Sequence, residues 1–106
     1  MEDGSEFSVT RRRAGDACIV APAGEIDLAT VDALAAALED ARAEADVVYL
    51  DLRAVSFMDS AGLRLVIETD RQCELIVVRG PIAVRRVFDL VGLQERVRMV
   101  DAPPGE

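Results

Sequence analysis

The pattern of hydrophobic and polar positions at the start of the chain predicts a β-hairpin. Residues 7–12 alternate apolar and polar side chains, which is typical of a half-buried strand, and residues 18–23 follow the turn at residues 14–16 as the returning strand. Pro22 cannot donate a backbone hydrogen bond, so we expect the second strand to end or bulge near it. Residues 24–30 are predicted to form a loop.

Downstream, the pattern predicts three amphipathic helices and three further strands. Thr30 is a candidate N-cap for the first helix, and either Asp59 or Ser60 for the second, while Pro81 marks the start of the third and Gly92 its end. The helices carry these apolar stripes: Val31, Leu34, Leu38 and Ala41; Leu63, Val66 and Ile67; Val84, Val87, Phe88 and Val91. The further strands are predicted at residues 47–52, 75–78 and 97–100, with residues 53–59 as a connection.

The element order β-β-α-β-α-β-α-β predicts an α/β fold. Right-handed β-α-β units laid side by side give a mixed central sheet of about five strands with the helices mainly on one face. The 106 residues suffice for one domain, residues 1–106, with a core over residues 7–100. Residues 101–106 contain Pro103-Pro104, and we expect this tail to fray.

The composition excludes much of ordinary enzyme chemistry. The chain has no His, and all 12 of its basic residues are Arg. Without His there is no Ser–His or Cys–His pair and no imidazole metal site. Without Lys there is no phosphate-loop lysine and no Schiff base. We therefore expect a protein that is not an enzyme and that carries no catalytic residue, no metal and no cofactor.

The charge and the cysteine count indicate where the protein works. A net charge of −8 argues against nucleic acid and anionic membrane as partners. No apolar run approaches the ~20 residues of a membrane span, and residues 1–7 are acidic where a signal peptide is basic. Cys18 and Cys73 are too few for a disulfide scaffold, and the predicted sheet places one strand between them. We expect a cytoplasmic protein.

One segment, residues 49–63, combines a buried strand, a loop and Asp59-Ser60-Ala61-Gly62-Leu63 at the start of a helix. At a helix N-terminus, free backbone N–H groups and the helix dipole favour an anion, so a phosphoryl group on Ser60 would be compatible with the fold. Gly62 would allow another part of the chain to approach closely. A purely structural interpretation also fits, in which Asp59 and Ser60 are caps and Gly62 eases packing.

Two motifs together resemble a known family. The segment Gly24-Glu25-Ile26-Asp27-Leu28-Ala29-Thr30, followed by Phe57-Met58-Asp59-Ser60-Ala61-Gly62-Leu63, is similar to STAS domains of the anti-sigma factor antagonist type. Residues 83–88 and Leu93 also fit the final helix of that family and the turn after it. The resemblance extends from about residue 7 to residue 100.

The resemblance implies a bacterial phosphoprotein that acts by partner switching. Such antagonists are not enzymes: they bind an anti-sigma factor that is also a serine kinase, and so release a sigma factor for transcription. The kinase phosphorylates the serine of the motif, here Ser60, and the complex dissociates; a metal-dependent serine phosphatase reverses the modification. The implied partner-binding residues are Asp27, Thr30, Asp59, Ala61, Gly62 and Leu63.

Other interpretations remain open. A hydrolase with Ser60 as nucleophile would need a base, and Met58 stands where the nucleophile elbow requires Gly. A STAS domain without a sigma role, of the stressosome, transporter or lipid-transport type, would have the same fold, and Ser60 need not be modified there. In addition, residues 62–75 form a shorter stretch than is usual in the family, which leaves the effect of the second helix on partner binding open.

Overall fold

The computed structural model describes residues 6–106, and residues 1–5, part of the acidic N-terminal segment, lie outside it. The predicted α/β class and the three helices are confirmed. The strands are β1 (Ser8–Ala14), β2 (Ala17–Ile26), β3 (Val47–Asp51), β4 (Ala54–Met58), β5 (Glu74–Val78) and β6 (Arg98–Val100). The helices are α1 (Val31–Glu44), α2 (Ser60–Gln72) and α3 (Ile82–Leu90), and a short 3₁₀ turn (Leu93–Glu95) precedes β6.

The sheet is mixed, as the sequence predicts. Strands β1, β2, β3, β5 and β6 lie side by side in that order; β1 is antiparallel to β2, and the other neighbours are parallel. The helices pack on one face of the sheet, where their buried residues join alternate strand residues in one core. This core includes Cys18, Val20, Val48, Leu50, Leu75 and Val77 from the sheet and Leu34, Leu38, Val66, Val84 and Phe88 from the helices.

The expected connection at residues 53–59 is wrong, because residues 54–58 form strand β4, in addition to the five strands that the sequence predicted. Strand β3 pairs with β2 only as far as Val20, and β4 then pairs with the remainder of β2 from Ala23 onward. Strand β4 therefore continues the path of β3 along the same neighbour after a short break. The sequence prediction missed it because the predicted second strand was too short to need a further partner.

Of the two outcomes expected near Pro22, an end of the second strand is wrong, but an irregularity does occur close to it. Strand β2 continues to Ile26, so residues 24–26 belong to the strand rather than to the expected loop. Pro22 lies between the stretches of β2 that pair with β3 and with β4, where neither parallel neighbour is in register with it. The irregularity falls two residues further on, between Gly24 and Glu25, in the pairing with β4.

The tail at residues 101–106, which we expected to fray, makes defined contacts in the structure. Pro103 is buried, and the Arg53 guanidinium donates hydrogen bonds to the Glu106 carboxylate at 2.8 and 3.1 Å. The same carboxylate lies 3.7 Å from Arg12 of β1. The tail leaves β6 at one edge of the sheet and reaches Arg12 of β1 at the other. Arg12 is the register partner of Ile19, whose neighbours Cys18 and Val20 face the helices, so the tail crosses the opposite face.

Arg53 links this tail to the sheet. Its guanidinium also donates to both carboxylate oxygens of Asp51, at 3.0 and 2.8 Å. Burial alone would raise the pKa of Asp51, but the hydrogen bonds and charge of Arg53 outweigh it, and the pKa lies below the ordinary value of 3.8. The hydrogen bonds from Arg53 also hold the pKa of Glu106 below its ordinary 4.5. This ion-pair network anchors the tail.

Two further features bear on the sequence predictions. Cys18 is buried in β2, and Cys73 is half-buried just before β5. Strand β3 lies between these two strands, and both thiols are free. Burial raises the pKa of the Cys73 thiol. None of the helices within residues 6–106 has the length and apolar character needed to cross a bilayer.

Candidate functional site

The two motifs meet at the carboxyl edge of the sheet, because β2 and β4 end side by side. Ile26 is the register partner of Met58, and the backbone N–H of Asp59 donates to the carbonyl oxygen of Ile26 at 3.2 Å. The loop that follows β2 and the turn that follows β4 are therefore neighbours. Strand β4, which the sequence analysis did not predict, is the element that aligns the two motifs.

Asp59 caps the N-terminus of α2. Its backbone is extended, and its Oδ1 accepts hydrogen bonds from the backbone N–H groups of Ala61 at 2.9 Å and Gly62 at 3.4 Å. Ser60 is the first residue of the helix, and its side chain is exposed. Of the two candidate caps, the structure selects Asp59, so the Ser60 hydroxyl is accessible at the helix N-terminus without being needed to stabilise it.

The next two motif residues, Gly62 and Leu63, are buried. A Cβ atom at Gly62 would lie 2.6 Å from Met58 Cγ and 2.9 Å from Ile26 Cγ2, closer than carbon atoms can pack. Leu63 belongs to the hydrophobic core, and Ala61 is half-buried. Gly62 and Leu63 thus hold α2 against the ends of β2 and β4, whereas side chains available for direct contact with a partner must come from the exposed positions.

Side-chain hydrogen bonds fix the loop before α1. Thr30 occupies the N-cap position of α1, but its hydroxyl donates to the carbonyl oxygen of Glu25 at 2.7 Å and accepts from the Asp27 N–H at 3.0 Å. The Asp27 carboxylate accepts from the Ala29 N–H at 3.0 Å. Asp27 and Thr30 are half-buried, and they shape the loop rather than project from it.

Two apolar side chains that the sequence analysis did not select are exposed around this edge. Leu28, at the tip of the loop, is 81% exposed, and Phe57, near the end of β4, is 47% exposed. Exposed apolar surface rimmed by polar residues marks protein interaction sites. A signal for Leu28 exists in the sequence, because it is an apolar residue in a predicted loop and belongs to neither adjacent apolar stripe.

The site is a surface rather than a pocket. A cavity of about 470 Å³ lies between α3 and β6, but none of the candidate site residues lines it. Within residues 6–106, no three Cys, Asp or Glu side chains cluster closely enough to hold a metal ion. What the edge presents is an exposed serine hydroxyl at a helix N-terminus, flanked by two carboxylates and by exposed apolar side chains. These are features that a protein partner can recognise.

Comparison with known proteins defines the family. Residues 8–103 match the STAS domain, and the chain belongs to the STAS domain family. Among solved structures, an anti-sigma factor antagonist from Mycobacterium paratuberculosis superimposes with a TM-score of 0.87 at 25% sequence identity. That match covers 96% of this chain and 92% of the other.

The fold is also that of SpoIIAA, an anti-sigma factor antagonist and cell fate determinant of Bacillus. Its unphosphorylated form matches with a TM-score of 0.76 at 24% identity, covering 92% of this chain and 90% of SpoIIAA. Its phosphorylated form matches with a TM-score of 0.68 at 24% identity, covering 93% of both chains. The similarity to these structures extends over almost the whole chain.

Proposed function

We propose that this STAS domain is an anti-sigma factor antagonist, which binds an anti-sigma factor in the cytoplasm and thereby frees a sigma factor. The observation that carries the proposal is the paired edge of β2 and β4, where the loop of Asp27 lies beside the exposed Ser60. The similarity to the mycobacterial antagonist over 96% of the chain supports the same role. In this role the protein acts by binding and is not itself an enzyme.

The proposed partner is an anti-sigma factor that is also a serine kinase. It would transfer the γ-phosphoryl group of ATP to Ser60 Oγ; the hydroxyl proton leaves to a base or to water, and ADP is released. The geometry suits this step, because the Ser60 side chain is exposed and Asp59, not Ser60, caps the helix. A serine phosphatase would hydrolyse the phosphate ester and restore the hydroxyl.

Electrostatics explains how one modification would end binding. A phosphoryl group adds a charge of about −1.5 to −2 at neutral pH, next to Asp59 and near the loop of Asp27, on a chain of net charge −8. A contact surface fitted to a neutral hydroxyl must then repel or desolvate that charge. A penalty of about 3 kcal/mol would weaken binding by roughly 100-fold.

The exposed apolar residues add affinity to this surface. Leu28 and Phe57 flank the acidic edge, and burial of an apolar side chain contributes about 1.5–3 kcal/mol when it is complete. The acidic residues Asp27 and Asp59 would face Arg or Lys side chains of the partner. We propose neither nucleic acid nor membrane as a partner.

A binding assay with purified anti-sigma factor tests the proposal. We expect Ser60→Ala to bind like wild type but to resist release by ATP, and Ser60→Asp to bind at least tenfold more weakly. Gln72→Glu is the matched control: it adds one charge at the exposed far end of α2, about 18 Å along the helix, and should bind normally. Phosphate mapping by mass spectrometry after incubation with ATP should locate the modification at Ser60.

The second candidate is a STAS interaction module without a sigma role, which would share this fold. It predicts no binding to any anti-sigma factor and no phosphate on Ser60. Absence of binding by both wild type and Ser60→Asp would argue for this alternative, whereas equal binding by the two proteins would refute the switch alone.

A further inference from the structure

Arg64 lies one helical turn after Ser60 on the exposed side of α2. Residues four apart on a helix are neighbours, and side chains tilt toward the helix N-terminus. The Arg64 side chain is therefore directed back toward the turn that carries Ser60. Ser60 and Arg64 are both exposed, whereas Gly62, Leu63 and Val66 face the protein interior.

Arg64 has no carboxylate partner among the described residues. Salt bridges within residues 6–106 involve other arginines, and none includes Arg64. Glu68 lies one turn further on, but an arginine that precedes a glutamate on a helix is the weaker order of this pair. Asp59 is engaged by the backbone N–H groups of Ala61 and Gly62. The guanidinium is thus available to a new anion at position 60.

We propose that Arg64 is the ion-pair partner of the phosphoryl group on Ser60, and that it holds this group against the N-terminus of α2. The proposal rests on the proposed function, which assigns Ser60 as the modified residue. A phosphoryl group offers three strong acceptor oxygens, and a guanidinium binds them through two parallel hydrogen bonds. The positive end of the helix dipole acts in the same direction.

This pairing has two consequences for the phosphorylated protein. The guanidinium lowers the second pKa of the phosphate, which is about 6 without a partner, so that more of the group is a dianion at neutral pH. It also fixes the charge at the edge shared by the two motifs instead of leaving it on a freely rotating side chain. The added charge then stays where it opposes the partner surface.

The experiment installs phosphoserine at position 60 by genetic code expansion, so that no kinase is needed. The second pKa of the phosphate is measured by ³¹P NMR titration in wild type, Arg64→Gln and Arg71→Gln. Arg71 is the matched control, an exposed arginine of the same helix about 16 Å from Ser60 along its axis. We expect Arg64→Gln to raise this pKa by about 0.2–0.4 units and Arg71→Gln to change it by less than about 0.1.

A difference that shrinks in high salt supports an ion pair, because salt screens exposed charges. Equal pKa values in wild type and Arg64→Gln, or equal shifts in both arginine variants, overturn the proposal. Binding of the same phosphoproteins to the anti-sigma factor tests the proposed function separately. If phosphorylated wild type still binds while Arg64→Gln shifts the pKa, the pairing stands and the switch is refuted.

Discussion

Replacing Gly62 by alanine tests whether this motif residue acts through packing. The added Cβ would lie 2.6 Å from Met58 Cγ, 2.9 Å from Ile26 Cγ2 and 3.2 Å from Met58 Sδ. The Met58 side chain is flexible and can move in part, but Ile26 is β-branched and fully buried in a strand. Helix α2 must therefore shift away from the sheet or distort its neighbours.

Two opposing effects set the magnitude. Overpacking of a buried site costs typically about 1–3 kcal/mol, and two contacts below 3 Å place this site toward the upper end. Alanine is favoured over glycine inside a helix by about 1 kcal/mol. We therefore expect Gly62→Ala to lower the free energy of unfolding by about 1–2 kcal/mol, even though alanine is the better helix former.

Urea denaturation followed by far-ultraviolet circular dichroism measures this change; the chain has no Trp to serve as a fluorescent probe. For a domain of this size the midpoint should fall by about 1 M. A second measurement of Gly62→Ala in a Met58→Ala background provides the control, because the closest contact is then absent. The cost of the glycine substitution should shrink there by about 1 kcal/mol or more.

A neutral or stabilising effect of Gly62→Ala in wild type would refute the steric reasoning. An equal cost in both backgrounds would show that Met58 does not cause it. The variant should also bind the anti-sigma factor normally once folded, since Gly62 is buried. Lost binding with unchanged stability would show instead that the partner contacts this position.

Two further predictions concern the cap and the tail. Asp59→Ala should lower the free energy of unfolding by about 1 kcal/mol, because it removes the acceptor for the first N–H groups of α2. Asp59→Ser should retain most of this stability, and equal losses of the two variants in urea denaturation would exclude the cap. Arg53 lowers the folded-state pKa values of Asp51 and Glu106, so the stability they contribute is complete above their ordinary values of 3.8 and 4.5 and is lost as pH falls through the lowered values. The urea midpoint of wild type should therefore fall more steeply below pH 4.5 than that of Arg53→Gln; parallel curves would contradict the network.

Hydrophobic periodicity predicted the helices, which bury one face, and the strands β3 and β5, which are apolar nearly throughout. The helical stripes and the runs of aliphatic residues in β3 and β5 have only one way to bury their apolar side chains, and these elements were predicted within a few residues. Strand β4 was missed because the predicted second strand was too short to need it as a partner; the register shift beside Gly24 also deprives β4 of a strict alternation of buried and exposed positions. Pro22 misled the prediction because its tolerance depends on which neighbours lie beside it.

The site was predicted in part. The helix start at Ser60 was predicted from the sequence, whereas the shared edge of Asp27 and Asp59 follows from the pairing of β2 with β4 in the structure. Which residue caps α2 depends on side-chain geometry that spacing does not determine, so the choice between Asp59 and Ser60 needed the structure. The ion pair of Arg53 with Glu106 joins residues that are 53 positions apart in the sequence, and no local sequence pattern predicts such a contact.

Strand β4 limits how the length of this chain can change. The register of β4 with β2 determines where α2 begins and which side of the sheet Ser60 faces, because successive side chains in a strand point to opposite faces. Removing or adding one residue at Phe57–Met58, after the register shift, would turn the start of α2 over and bury Ser60 or displace it from the loop of Asp27. Substitutions at the exposed positions of this strand are tolerable, but insertions and deletions at its last two residues are not.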